Sequence, residues 1–235
     1  MKIITQANLI LVLSALLVSG CATTRYPATL TAETGAKVRV VSIVDEISTP
    51  TSLTVPGAGG GIIGFTVQLQ KQKNFTSEVR ANLDFQKFTE DALRESFTRA
   101  VKGHAGWKFF SSDDIDKADA AFLLEVTSMG VDNPPQWPPS MDMSYPPTIT
   151  ISVTLIGNPP FEIVRTEGKA QALDPTNHPV FYQRVELISN KDKLPRHFSR
   201  QYSDDPEIFK TAFSEAIDLA VKRIAASWAV GQVSQ

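Results

Sequence analysis

Cys21 is the only cysteine in this chain of 235 residues, so no disulfide can brace residues 22–235. Whatever they form must be held by a packed core. The position of that cysteine adds a second constraint. It follows an uncharged apolar run, Leu9-Ile10-Leu11-Val12-Leu13 through Ala15-Leu16-Leu17-Val18, which begins after Met1-Lys2 and ends in the small residues Ser19-Gly20. A positive start, a short apolar stretch and small residues are the plan of an export signal, here 1–20. The run is shorter than the ~20 residues that span a bilayer. No later stretch is apolar enough to span one, so the mature protein is expected to have no transmembrane helix.

Val18-Ser19-Gly20-Cys21 resembles the lipobox of bacterial lipoproteins: an aliphatic residue, two small residues and cysteine. Val18 departs mildly from the leucine usual at the first place. The resemblance implies a diacylglyceryl group on the Cys21 sulfur, cleavage before it and acylation of the new amino group. The plain alternative is an ordinary signal peptide that leaves Cys21 as a free thiol or an intermolecular disulfide partner. A lone thiol is a liability in an exported protein, and acylation removes it. Each buried methylene contributes about 0.8 kcal/mol and two lipid signals already anchor stably. Ala22 is not Asp, which by resemblance to the sorting rule of Gram-negative lipoproteins implies the outer membrane, with the domain in the periplasm. Residues 21–36, CATTRYPATLTAETGA, cannot bury much apolar area and read as a tether reaching roughly 50 Å, leaving 37–235 as a single domain.

A net charge of −2 and a pI of about 5.9 point away from nucleic acid. Two helices are legible from their stripes. Phe85, Phe88, Ala92, Leu93, Phe97, Ala100 and Val101 recur at three- and four-residue spacing before Gly103, with Phe75, Val79 and Leu83 as a possible upstream extension. Asp205-Pro206-Glu207 supplies a cap, a proline at the first helical position and an acid near the positive helix end. After it come Ile208 or Phe209, Phe213, Ile217, Val221, Ile224 and Trp228, with Ala212, Ala216, Ala220 and Ala225 permitting close packing.

Strands are expected over 37–44, 107–110 and 120–131. A hairpin is expected from Thr148–Leu155 through Gly157-Asn158-Pro159-Pro160, returning over Phe161–Leu173. The segment from Asp174 to Gln201 reads as irregular, with a basic concentration at Lys191, Lys193, Arg196 and Arg200. The predicted fold class is therefore α+β, a mainly antiparallel sheet with two amphipathic helices on one face. That layout resembles small periplasm-facing lipoproteins that serve envelope machinery as accessory parts.

Two segments fall outside this pattern. Val55–Phe65 is glycine-rich, apolar and uncharged. Its Gly59, Gly61 and Gly64 spell a dinucleotide fingerprint, with Asp84 suitably spaced for a ribose, but that motif needs a following helix, and Phe65–Gln70 alternates as a strand does. Asn133–Tyr145 is proline-rich and carries Trp137, Met141 and Met143, the candidate partner contacts. Asp113, Asp114 and Asp116 lack the Gly and Glu of a calcium loop and read as a turn. His104, His178 and His197 are widely separated, and no H-E-x-x-H or G-x-S-x-G occurs. Ser203, Asp204 and Asp205 read as helix-start chemistry. The sequence thus predicts a non-catalytic accessory or scaffold protein without cofactor or metal, held by lipid on Cys21 and binding another envelope component. The alternative is a periplasmic lipid or small-ligand binder.

Overall fold

A computed structural model describes residues 26–55, 62–131, 144–157, 159, 161, 163–166, 169–172 and 178–228. Its elements are α1 (Ala32–Lys37), β1 (Val40–Ile43), α2 (Ile62–Asn82), α3 (Phe85–Lys102), β2 (Lys108–Phe109), a 3-10 turn (Ser112–Lys117) and β3 (Ala120–Val131). β4 (Ser144–Tyr145), β5 (Pro147–Gly157), β6 (Ile163–Thr166), β7 (Lys169–Ala172), β8 (Val180–Ile188), β9 (His197–Phe198), α4 (Ser199–Asp204) and α5 (Pro206–Ala226) complete the order.

The fold is α+β. One sheet has the order β2-β1-β3-β5-β8. Its long pairings, β3 with β5 and β5 with β8, are antiparallel, whereas the short β1 runs parallel to β2 and β3. The start of β1 is pinned by one carboxylate: Asp119 Oδ2 accepts from the N–H of both Arg39 and Val40 at 2.8 Å.

The core lies between the sheet and helices α3 and α5. Phe85, Leu93, Phe97 and Val101 of α3 are buried, as are Phe209, Phe213, Ile217, Val221 and Ile224 of α5. Ala212, Ala216 and Ala220 are buried among them, and their short side chains let the helix backbone approach its neighbours closely at those positions. The two helices also meet through polar ends, with Ser96 Oγ and Arg99 Nη2 both donating to Asp218 Oδ1, at 2.5 and 3.0 Å. The Asp205 cap is as predicted, whereas α3 starts at Asp84, and Thr76 and Ser77 lie inside α2 before it. Asp84 accepts from Lys87 N at 3.1 Å, and Asp205 accepts from Glu207 N at 2.9 Å.

Three expectations are corrected. Phe65–Gln70 is not a strand: it belongs to the first half of α2, a helix of 21 residues. Val67 and Leu69 are exposed there, so no buried face imposes the helical period, and an alternation that only mimics a strand is left. Gln and Lys, abundant in this stretch, are good helix formers. The helix enters the core later, through Phe75 and Val79, and ends before Asp84 instead of fusing with α3.

The partner of β5 is not Phe161–Leu173 either. Residues 163–166 and 169–172 pair with each other in a separate two-stranded sheet, and β8 takes the place beside β5. β8 lies inside the segment 174–201 that reads as irregular. Its inward positions are Tyr182, Arg184, Glu186 and Ile188; Arg184 Nη2 pairs with Glu186 at 3.1 Å, and Arg223 Nη1 of α5 reaches the same Glu186 at 3.5 Å. Its outward positions include Val185 and Leu187. This amphipathicity is turned inside out, so the usual apolar-in pattern is missing.

Lastly, the second half of the expected tether is packed. Leu30 is buried, Thr31 caps α1 by accepting from Thr34 N, and Pro27 O accepts from Gln183 N at 3.0 Å on the free edge of β8.

Candidate functional site

Cys21, Trp137, Met141 and Met143 lie outside the described residues, as do 56–61 and 132–143 as a whole. What the structure places is the ground from which those two segments spring. Thr54 donates from its N–H to Met129 O at 2.8 Å and accepts from Val131 N at 3.0 Å. The chain therefore enters both segments from adjacent points at one end of the sheet. Gly130 makes this contact possible, since a Cβ there would lie 2.1 Å from Thr54 O.

The far end of the second segment returns to the same place. Ser144 and Tyr145 pair with Phe198 and His197 as β4–β9. Tyr202 is buried in α4 and donates from its hydroxyl to Tyr145 O at 2.9 Å. Burial pushes the Tyr202 phenol far above its ordinary range, so it stays a neutral donor. Around this junction lie two surface grooves. One, of 640 Å³, is lined by Tyr145, Phe198, Arg200, Asp204, Asp205 and Ile208 among others. The other, of 280 Å³, lies between Val55, Phe75 and Tyr145. Phe198 stands 52% exposed in the wall of the first. Arg200 Nε is 3.0 Å from Asp204 Oδ2, so the first groove mixes an aromatic wall with a compensated charge pair.

Sequence reasoning missed Phe198 and Tyr202. The dipeptide His197-Phe198 is too short for a strand period, and only the β4 partner across the sheet gives it one.

The histidines stay apart in their surroundings. His104 stacks on Trp107 with ring centroids 4.1 Å apart, and burial lowers its pKa. His178 is buried, with Nδ1 3.4 Å from Gly157 O. His197 meets Tyr202 edge to face at 5.4 Å. Ser203 is buried and donates to Arg200 O at 3.1 Å, while Asp205 caps α5, which accounts for that acidic run structurally. The 113–116 turn is the 3-10 segment, where Lys117 pairs with Asp114. Among the described residues no group of three or more His, Cys, Asp or Glu side chains is placed to hold a metal ion. No described helix is long and apolar enough to cross a membrane.

A helix does follow the glycines, so the reason given for setting the dinucleotide reading aside does not hold. The acid does not fit it, however. Asp84 is spent on capping α3, and a second helix rather than a strand follows α2.

No family model matches the chain, and no curated protein does so. Among solved structures, a hypothetical protein from Chlamydia trachomatis is similar at 9% identity over 80% of this chain and 94% of that one, with a TM-score of 0.36. A protein from Xanthomonas campestris described under DUF330 is similar at 11% identity over 87% of this chain and 89% of that one, with a TM-score of 0.39.

Proposed function

We propose that this is a lipid-anchored cell-envelope protein of the outer membrane, facing the periplasm, whose domain binds another envelope protein and catalyses nothing. The anchor rests on Val18-Ser19-Gly20-Cys21 behind its apolar run. The observation that supports the binding role is the common root of 56–61 and 132–143. Two segments rich in Gly or Pro leave the sheet side by side at the Thr54–Val131 contact, next to exposed Phe198. A recognition surface is built from apolar groups that the core does not need. Both long helix stripes are consumed by the core, which leaves this end for a partner. A carrier of lipid or small ligands needs an enclosed apolar cavity. The groove at this end lies open at the surface with Arg200, Asp204 and Asp205 in its wall, which favours the binding role over the carrier.

Cross-linking in intact cells, followed by mass spectrometry, tests the proposal. Trp137→Ser combined with Met141→Ser and Met143→Ser is expected to reduce cross-links to the partner and leave the melting temperature nearly unchanged. Unfolding by the triple change would make those residues core. A lipid that copurifies reproducibly, with no protein neighbour, would select the carrier. Labelling with a fatty-acid analogue tests the anchor: Cys21→Ala should abolish both label and membrane retention.

A further inference from the structure

We infer that the outward face of β8 is a docking surface for the bilayer itself, so that the domain lies on its anchoring membrane along this edge. The inference rests on the proposed lipidation of Cys21. Three observations coincide on β8.

The first is where the anchored chain joins the fold. Pro27 O takes the N–H of Gln183 on the free edge of β8, and Leu30 is buried just beyond. From Tyr26, the first described residue, Cys21 is five residues away, a stretched reach of about 17 Å. A tether of that length cannot swing the β8 edge far from the headgroups.

The second is apolar exposure beside that joint. Val185 and Leu187 follow Gln183 on the outward face and are 59% and 57% exposed, the highest values for a large hydrophobic among the described residues. They sit at most four residues from the Gln183–Pro27 contact, about 13 Å along the strand. The adjacent strand offers Ser152 and Thr150 opposite them, so the pair forms an apolar ridge on a hydroxyl-lined sheet.

The third is charge. β8 ends at Ile188, and in the segment that follows Lys191, Lys193 and Arg196 are exposed. Asp192, the acid among them, is turned inward onto Arg223. An apolar pair followed by exposed cations is the pattern that suits an anionic lipid surface. A second copy of the chain fits less well, because Pro27 occupies the strand edge along which two sheets would join.

The test uses the acylated full chain in vesicles of phosphatidylethanolamine and phosphatidylglycerol that carry a lipid-borne fluorescence quencher. Acylation blocks Cys21, so a fluorophore on Val185→Cys is unique, and one on Lys87→Cys, exposed on α3, serves as reference. Quenching is expected to be several-fold stronger from the Val185 site, and to fall when Lys191→Glu and Lys193→Glu are added. Equal quenching at the two sites overturns the inference. So does protection of the Val185 site that follows protein density and ignores the quencher, which would mean a second copy. If the N-terminal peptide carries no acyl mass, the anchor proposal has failed instead. The labelled Cys21→Ser chain is then added to the same vesicles from solution: quenching at the Val185 site keeps the membrane face, and its absence overturns it.

Discussion

Gly130→Ala puts a methyl group where the fold has no room. The new Cβ would stand 2.1 Å from Thr54 O, 2.2 Å from its Oγ1 and 2.6 Å from its N. A side-chain hydroxyl can rotate away, but the backbone atoms cannot without releasing Thr54 from β3. Such a release breaks the bonds of Thr54 N to Met129 O and of Val131 N to Thr54 O. Two backbone hydrogen bonds at about 1 kcal/mol each, plus overpacking strain, give an expected loss of about 2–4 kcal/mol. Gly157→Ala is the matched control. The three atoms nearest its Cβ would all belong to the Phe181 ring, the first at 2.2 Å, and that half-buried ring is the far end of a side chain that can swing outward. Because Ala also suits a strand better than Gly, the net change should stay within ~1 kcal/mol. Urea denaturation measures both. Amide exchange adds the location: protection at Thr54 and Val131 should be lost in Gly130→Ala, while Val126, whose N–H goes to Ser48 O, keeps its own. Equal stability of the two variants, or intact protection at Thr54, would refute the close-approach argument.

Phe97→Ala should cost ~3–5 kcal/mol, near the upper end, because the fully buried ring meets Phe122 at 5.0 Å and Trp228 at 5.5 Å edge to face. Urea unfolding would measure it, and a loss below ~1.5 kcal/mol would mean the core closes over the gap. Ile217→Ala, fully buried on α5, should lose ~2–5 kcal/mol in the same assay. His104 carries a lowered pKa from burial against Trp107, so the unfolded chain binds its proton more readily. Stability is full above the unfolded value of about 6.5 and declines as pH falls through it toward the folded value. Melting temperature from about pH 7.5 to about pH 5 should fall less steeply in His104→Gln, and parallel curves would exclude His104 as the source.

The two core helices were legible because each has one face fully committed to the sheet. Phe85 to Val101 and Phe209 to Ile224 therefore keep their period without interruption. Asp205-Pro206 was legible for a local reason, since capping needs only the residues next to it. What failed did so where the environment reverses the usual rule. The first half of α2 buries little, so Val67 and Leu69 carry no face information. In β8 the inward Arg184 pairs with Glu186, and Glu186 is also met by Arg223 from α5, 37 residues beyond it, a partner that no window on the strand contains. The hairpin failed for a topological reason: β5 ends at Gly157 as expected, yet the strand that completes the ladder comes only at Val180. At the candidate site both segments were marked by composition. Their common origin was hidden, because it rests on the contact of Thr54 with Val131, 77 residues apart.

The parallel seat of β1 sets the order in which the chain can assemble. Val41 pairs with Phe109 and Ala120, and Ile43 with Phe122, so the strand made early waits for partners on the far side of two helices. The β3–β5 ladder, from Val131–Pro147 to Ala120–Gly157, closes over much shorter separations. Loop-closure entropy makes the ladder the early event and the docking of β1 a late one. In a chain delivered amino end first, Val40–Ile43 therefore spends the longest time as an unpaired apolar strand, and it is the segment a holdase chaperone would have to shield. Pulsed hydrogen exchange during refolding should find the amides of Leu123 and Thr154, which face each other across the ladder, protected before that of Val44, whose N–H goes to Phe122 O.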